Sequence, residues 1–276
     1  MAEPPASGWR RIAALKVESE LTHWRRLGLR PRLWWRDDDA REPTDALDRL
    51  LVIAGGRPLA LAVVPAGDLH PLAVRLTGER SVSIGQHGVD HVNRRPAGEV
   101  KSEYGHPPPI DLLTDSLNAG KARLEAAGLA PSFYTPPWNA IDSGLPRAVR
   151  RVGYPMLSAG ADRVLYSGLH YTSAEIDVLA WKGGARSKGA MRIMTMIGQA
   201  LAERRRSAEY ERPVGLLTHH LDHDEATWRF LAWSMEWFDT RFDWISTDQL
   251  LRHQPAPTAA ARLSGGIEPM AQPVGV

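Results

Sequence analysis

Arg32-Leu33-Trp34-Trp35-Arg36-Asp37-Asp38-Asp39 is a short aromatic run that ends in three consecutive carboxylates. Aromatic enrichment marks the run as a strand. Three adjacent carboxylates repel one another, burial raises that repulsion, and a bound cation relieves it. The same cluster also reads as an acidic turn capping the next helix. Aspartates at a strand end serve phosphoacceptor and phosphatase sites too, so the surrounding chain has to decide.

Upstream, Trp9, Ile12, Leu15, Leu21, Trp24 and Leu27 recur at roughly helical spacing until Pro31. Downstream, Asp45 to Gly55 is amphipathic and ends at a glycine pair. Leu59-Ala60-Leu61-Ala62-Val63-Val64-Pro65 is continuously apolar, the pattern of a strand covered on both faces. Further strands are predicted at 81–85, 132–135, 156–158, 176–179, 213–218 and 244–246. Helices are predicted at 111–127, 146–152, 191–206 and 225–238. Strands alternating with helices imply an α/β domain on a parallel sheet, open or closed into a barrel. The notable polar residues fall just after strands, where parallel α/β folds gather their active sites.

Three more clusters accompany the aspartates. His87-Gly88-Val89-Asp90-His91 sets two imidazoles at i and i+4, on one face if the segment is helical. Lone pairs of this kind are usually structural. Together with an aspartate they supply three protein ligands and leave an open position, as a catalytic metal site requires. Leu217-Thr218-His219-His220-Leu221-Asp222-His223 runs from a strand into several histidines, either surface residues or a general acid and further ligands. Tyr134-Thr135-Pro136-Pro137-Trp138-Asn139 is a proline-fixed loop with an aromatic that either stacks on a sugar face or packs in the core.

Taken in order, these pieces resemble the polysaccharide deacetylase family, the NodB homology domain of carbohydrate esterase family 4. Arg36-Asp37-Asp38-Asp39-Ala40 is similar to T-F-D-D-G, and His87 to His91 to H-S/T-x-x-H. Thr135-Pro136-Pro137-Trp138 is similar to R-P-P-Y, Asp177 with Trp181 to the fourth motif, and Leu217-Thr218-His219 to the closing L-x-H. The resemblance spans about residues 32 to 251. It implies a distorted (β/α)7-like barrel and a divalent metal, usually zinc, held by Asp39, His87 and His91. It makes Asp38 the catalytic base and His219 the general acid; Asp37-Asp38 is the alternative register. Pro137, Trp138, Asn139 and Trp181 fall at the substrate, with Arg36, Asp37, Asp177 and His220 in support. Thr135 stands where the motif has its base-orienting arginine, and Arg36 is the substitute at hand. The implied activity is hydrolysis of an N-acyl group on an amino-sugar substrate. A catalytically silent glycan-binding barrel and a phosphate-handling enzyme are the competing readings.

Bulk properties agree with a soluble enzyme. The 276 residues are 43% hydrophobic and 24% charged, with a formal net charge of +2. The weak charge excess and the lack of basic motifs with interleaved aromatics argue against a nucleic-acid partner. There is no cysteine, so any metal must sit on His, Asp or Glu. The first eight residues lack the features of a signal peptide, and no apolar run is long enough to span a bilayer, which gives a cytoplasmic expectation. The expected organisation is a leader and helix over 1–30, the barrel over 31–252 and a disordered tail over 253–276.

Overall fold

A computed structural model describes residues 8–105, 108–160, 166 and 168–252. The tail expected over 253–276 lies outside the described residues. In chain order the elements begin with α1 (Gly8–Arg26), β1 (Arg32–Ala40), α2 (Asp45–Ala54), β2 (Leu59–Val63), α3 (His70–Leu76) and β3 (Val82–His87). Next come α4 (Ile110–Ala126), β4 (Phe133–Thr135), α5 (Leu145–Arg151), β5 (Met156–Ala159) and β6 (His170–Ser173). The remainder is β7 (Ile176–Asp177), β8 (Leu179–Ala180), β9 (Arg186–Ser187), α6 (Ala190–Arg206), β10 (Val214–Thr218), α7 (Glu225–Asp239), β11 (Asp243–Trp244) and α8 (Thr247–Arg252).

The main sheet runs β6-β5-β4-β3-β2-β1-β10-β7, with β11 added beside β1. Every pairing in it is parallel. Its two edge strands, β6 and β7, are consecutive in sequence and separated only by Ala174 and Glu175. So short a link forces the sheet to curl until its edges approach, which makes the distorted (β/α)7-like barrel. Gly215 in β10 marks the tight passage. A Cβ there would fall 1.9 Å from the Ser173 carbonyl oxygen, so only glycine lets the strand pass.

Alternation along the strands divides the core. Inward-facing Trp34, Ala60, Phe133, Met156 and Leu217 fill the barrel, joined by Ile245 and Leu250. Leu33 and Trp35, on the other face of β1, pack in the layer built by α1, α2, α6 and α7. A second outer layer gathers Leu113 and Leu117 of α4 with Leu145 and Val149 of α5 around Tyr134 and Leu157. Caps fix the helices locally. The Thr44 hydroxyl accepts from the Leu47 N–H, and Asp224 accepts from the Thr227 N–H at the start of α7.

The differences from the sequence reading have local causes. The strand expected over 176–179 breaks at Val178 because the Asp177 carboxylate accepts the Leu179 N–H at 2.8 Å and turns the chain. β8 then leaves the main sheet and pairs antiparallel with β9. α3, β6 and α8 are short elements that the pattern does not announce. Among the described residues, no helix is long and apolar enough to cross a membrane.

Candidate metal centre

β1 delivers three aspartates to three different environments. Arg36 and Asp38 sit two residues apart and share the inward side of the pleat. Asp37 faces the opposite way. Asp39 should follow it, but the β1–β2 register shifts between Asp37 and Ala40, and Asp39 adopts φ 74. This bulge re-aims the side chain, and aspartate is among the few non-glycine residues that tolerate the left-handed region. Asp38 and Asp39 thereby both reach the C-terminal mouth of the barrel.

There Asp39 Oδ1 lies 3.1 Å from His87 Nε2 and 3.1 Å from His91 Nε2. The three ligand atoms lie within 4.8 Å of one another. His87 ends β3, and its Nδ1 meets the Thr135 carbonyl at 3.2 Å, which turns Nε2 toward Asp39. The chain from His87 to His91 is not helical, contrary to the condition attached to the i, i+4 spacing. Gly88 at φ 61 and His91 at φ 59 bend it into a tight loop that brings the second imidazole back.

These donors fit a divalent metal. Zinc bonds of about 2.0–2.2 Å in a tetrahedron place ligand atoms about 3.3 Å apart, close to what Asp39 makes with each histidine. Asp39 Oδ1 is buried without a hydrogen-bond partner among the described residues. Burial pushes the Asp39 carboxyl up, but the close contact with His87, with His91 and His219 nearby, holds it far below the usual range. Burial pushes His91 down, toward the neutral ligand form.

Asp38 is gripped by Arg36. Arg36 Nη2 donates to Asp38 Oδ2 at 2.9 Å, and Nε makes a 2.8 Å ion-pair contact with Oδ1. The guanidinium is fully buried and also donates to Ser158 Oγ at 2.7 Å and Asn139 Oδ1 at 2.8 Å. Trp138 and Asn139 hold φ 55 and φ 54, a strained turn that turns Asn139 toward Arg36. Trp138 sits against His91, with ring centroids 4.6 Å apart, and Lys101 lies over its ring at 5.7 Å.

Opposite, His219 Nε2 lies 3.9 Å from Asp38 Oδ2. Trp181 stands edge-on to the His219 ring at 4.7 Å, and its indole N–H donates to Asp177 at 2.7 Å. Trp181 is 45% exposed, available to a ligand at the mouth. Asp177 thus positions Trp181 through this bond. Pro137 is buried beneath the turn it starts.

Asp37 and His220 form a separate buried pair on the outer face of β1. His220 Nδ1–H donates to Asp37 Oδ1 at 2.5 Å, and the other carboxylate oxygen accepts from Thr218 Oγ1 and the His220 N–H. Burial opposes both charges. The mutual pairing wins, holding Asp37 below its usual range and His220 above. Sequence reasoning named Asp37 and His220 as supporting residues but not as a pair, and it missed Ser158 and Glu103. The alternation of Thr218 and His220 was its only available signal.

His223 adds a pH dependence. Its Nε2 accepts the His219 N–H at 3.3 Å, and burial pushes its pKa down to about 4. Between the ordinary value of about 6.5 and that folded value, the unfolded chain binds the extra proton, so this contribution to stability falls as pH drops through the window. His223→Gln is expected to flatten the melting-temperature profile between about pH 6.5 and 4. An unchanged acid slope in the variant would remove His223 from the account.

The curled parallel sheet matches the barrel of polysaccharide deacetylases in fold. No family model matches the chain, and no curated protein does. Solved structures do match. A Mycobacterium smegmatis protein assigned as a polysaccharide deacetylase aligns at TM-score 0.62 and 15% identity, over 81% of this chain and 90% of that one. The Bc1960 peptidoglycan N-acetylglucosamine deacetylase aligns at TM-score 0.52 and 13% identity, over 81% and 89%. A family 4 carbohydrate esterase from Streptomyces lividans, in complex with acetate, aligns at TM-score 0.50 and 11% identity, over 78% and 91%. At such identities the likeness establishes the fold.

Proposed function

We propose that this protein is a metal-dependent deacetylase that hydrolyses the N-acyl group of an amino-sugar substrate, with residues 31–252 as the catalytic unit. One observation carries the reading. A buried carboxylate oriented by arginine, Asp38, stands between an Asp39–His87–His91 donor set and a histidine across the mouth, His219. A zinc ion held by Asp39, His87 and His91 would supply Lewis acidity toward the acyl carbonyl and the attacking water.

The chain's own groups account for the remaining steps. Asp38 takes a proton from the water as it adds to the amide carbon, and Arg36 keeps the carboxylate aimed. As the C–N bond breaks, His219 gives a proton to the departing amine, which leaves free amino sugar and acetate. Trp138 stands against His91 and Trp181 against His219, so each offers an aromatic face or edge to a pyranose ring at the mouth. Asn139 fixes the Trp138 side through Arg36.

The test is acetate release from N-acetylglucosamine oligomers and nucleotide sugars, with zinc-loaded and chelator-treated protein. Release that requires the metal is the expected result. Tight zinc binding without hydrolysis of any acetamide would turn the reading to a glycan-binding barrel, and magnesium-dependent phosphoester cleavage to a phosphate enzyme. His219→Ala is expected to lose about 10²-fold or more in turnover, a general acid's contribution, while keeping its zinc. His220→Ala should act through stability instead, because it strands the buried Asp37 carboxylate. A normal rate for His219→Ala would withdraw the acid assignment.

A further inference from the structure

Residues 88–91 must hold an unusual backbone to return His91 to Asp39, and nothing in their own side chains explains how. The loop turns around a carboxylate. Glu103, 4% exposed, reaches in from twelve residues downstream. Its oxygens accept the Val89 N–H at 3.0 Å, the Asp90 N–H at 2.9 Å and the His91 N–H at 2.5 Å. Three successive backbone N–H groups converging on one anion form a concave nest. Gly88 completes the cradle. A Cβ at that position would fall 2.3 Å from Glu103 Oε2, and its φ of 61 already favours glycine.

Glu103 is itself anchored. Arg94 Nη1 donates to its backbone carbonyl at 3.2 Å, and Nη2 pairs with Asp90 at 2.5 Å. Next to it, Ser102 receives the Tyr104 N–H and donates to Asp142 at 2.6 Å. Asp142 is also paired with Arg95. The loop that carries His91 and the segment that carries Glu103 are thereby tied into one unit.

From this geometry we infer that Glu103 is a positioning residue for the metal centre: its carboxylate, buried in the nest, sets the backbone of the His91 loop and so the affinity for zinc. The inference rests on the reading of Asp39, His87 and His91 as ligands. Glu103 touches no metal and no substrate. Its effect passes through the ring position of His91.

The experiment is zinc affinity by competition with a chromophoric chelator, run on wild type, Glu103→Gln and Glu103→Ala, with circular dichroism of each metal-free protein. Glutamine keeps one acceptor oxygen but turns an NH2 group toward the nest. Glu103→Gln is expected to bind zinc about 10–100-fold more weakly, the usual effect of losing an outer-shell partner. Its metal-free spectrum should remain that of wild type. Glu103→Ala, if folded, should bind more weakly still. Wild-type affinity in folded Glu103→Gln overturns the inference and leaves the metal site standing. A wild-type protein that binds no zinc overturns the ligand reading itself. A loss of affinity that only accompanies a lost fold in Glu103→Gln would reduce Glu103 to a structural residue, and overturns the inference too.

Discussion

His87→Ala and His91→Ala are each expected to strip the protein of zinc and to lower acyl-amide turnover by about 10³-fold, matching the several kcal/mol that a Lewis acid contributes. The argument is geometric. Asp39 Oδ1 stands 3.1 Å from each imidazole, so either ring completes a site that the other two ligands cannot close alone. Neither change should unfold the chain, because the barrel core of Trp34, Phe133, Met156 and Leu217 lies below the mouth and does not use these rings. Elemental analysis and acetate release on the purified variants decide it. Wild-type metal content in the double variant would make both histidines structural.

Arg36→Met is expected to destabilise the fold by about 3–5 kcal/mol, the usual penalty for breaking one side of a buried ion pair. The guanidinium is fully buried and meets Asp38, Asn139 and Ser158, so its removal leaves a carboxylate, an amide and a hydroxyl without their donor. Turnover should collapse as well, since Asp38, the proposed base, loses the guanidinium that aims its carboxylate. Arg36→Lys keeps the charge but loses the planar fork, and should fall between the two. The combined change Arg36→Met with Asp38→Asn should recover much of the stability and none of the activity. Urea denaturation and acetate release measure both effects. A stable Arg36→Met variant would mean that the Arg36–Asp38 pair does not hold the fold.

Much of this was legible along the chain because it rests on periodicity. The apolar run of β2, the amphipathic α2 with its glycine stop and the strand just before His87 all follow from local patterns. The tripeptide Asp37-Asp38-Asp39 could be recognised as chemical, but not divided into roles by pattern alone. Simple alternation puts Asp37 and Asp39 on one side and Asp38 on the other. Only the register shift before Ala40, a matter of how β1 meets β2, brings Asp39 round to the side of Asp38. Glu103 was invisible for a related reason. It acts through backbone N–H groups, which every residue has, from a loop with no periodic signal. Thr135 in place of an arginine could be noticed in the sequence, but that Arg36 reaches Asp38 depends on the pleat of one strand.

The placement of Arg36 matters for anyone redesigning this barrel. Arg36 and Asp38, the proposed base, are carried at i and i+2 on a single interior strand, so their alignment travels with that strand as one cassette. The segment after β4 is left with a lighter duty, a single amide contact from Asn139. With Asn139 kept, a library built on residues 138, 140 and 141 would vary the mouth of the barrel while the Arg36–Asp38 pair stays in place.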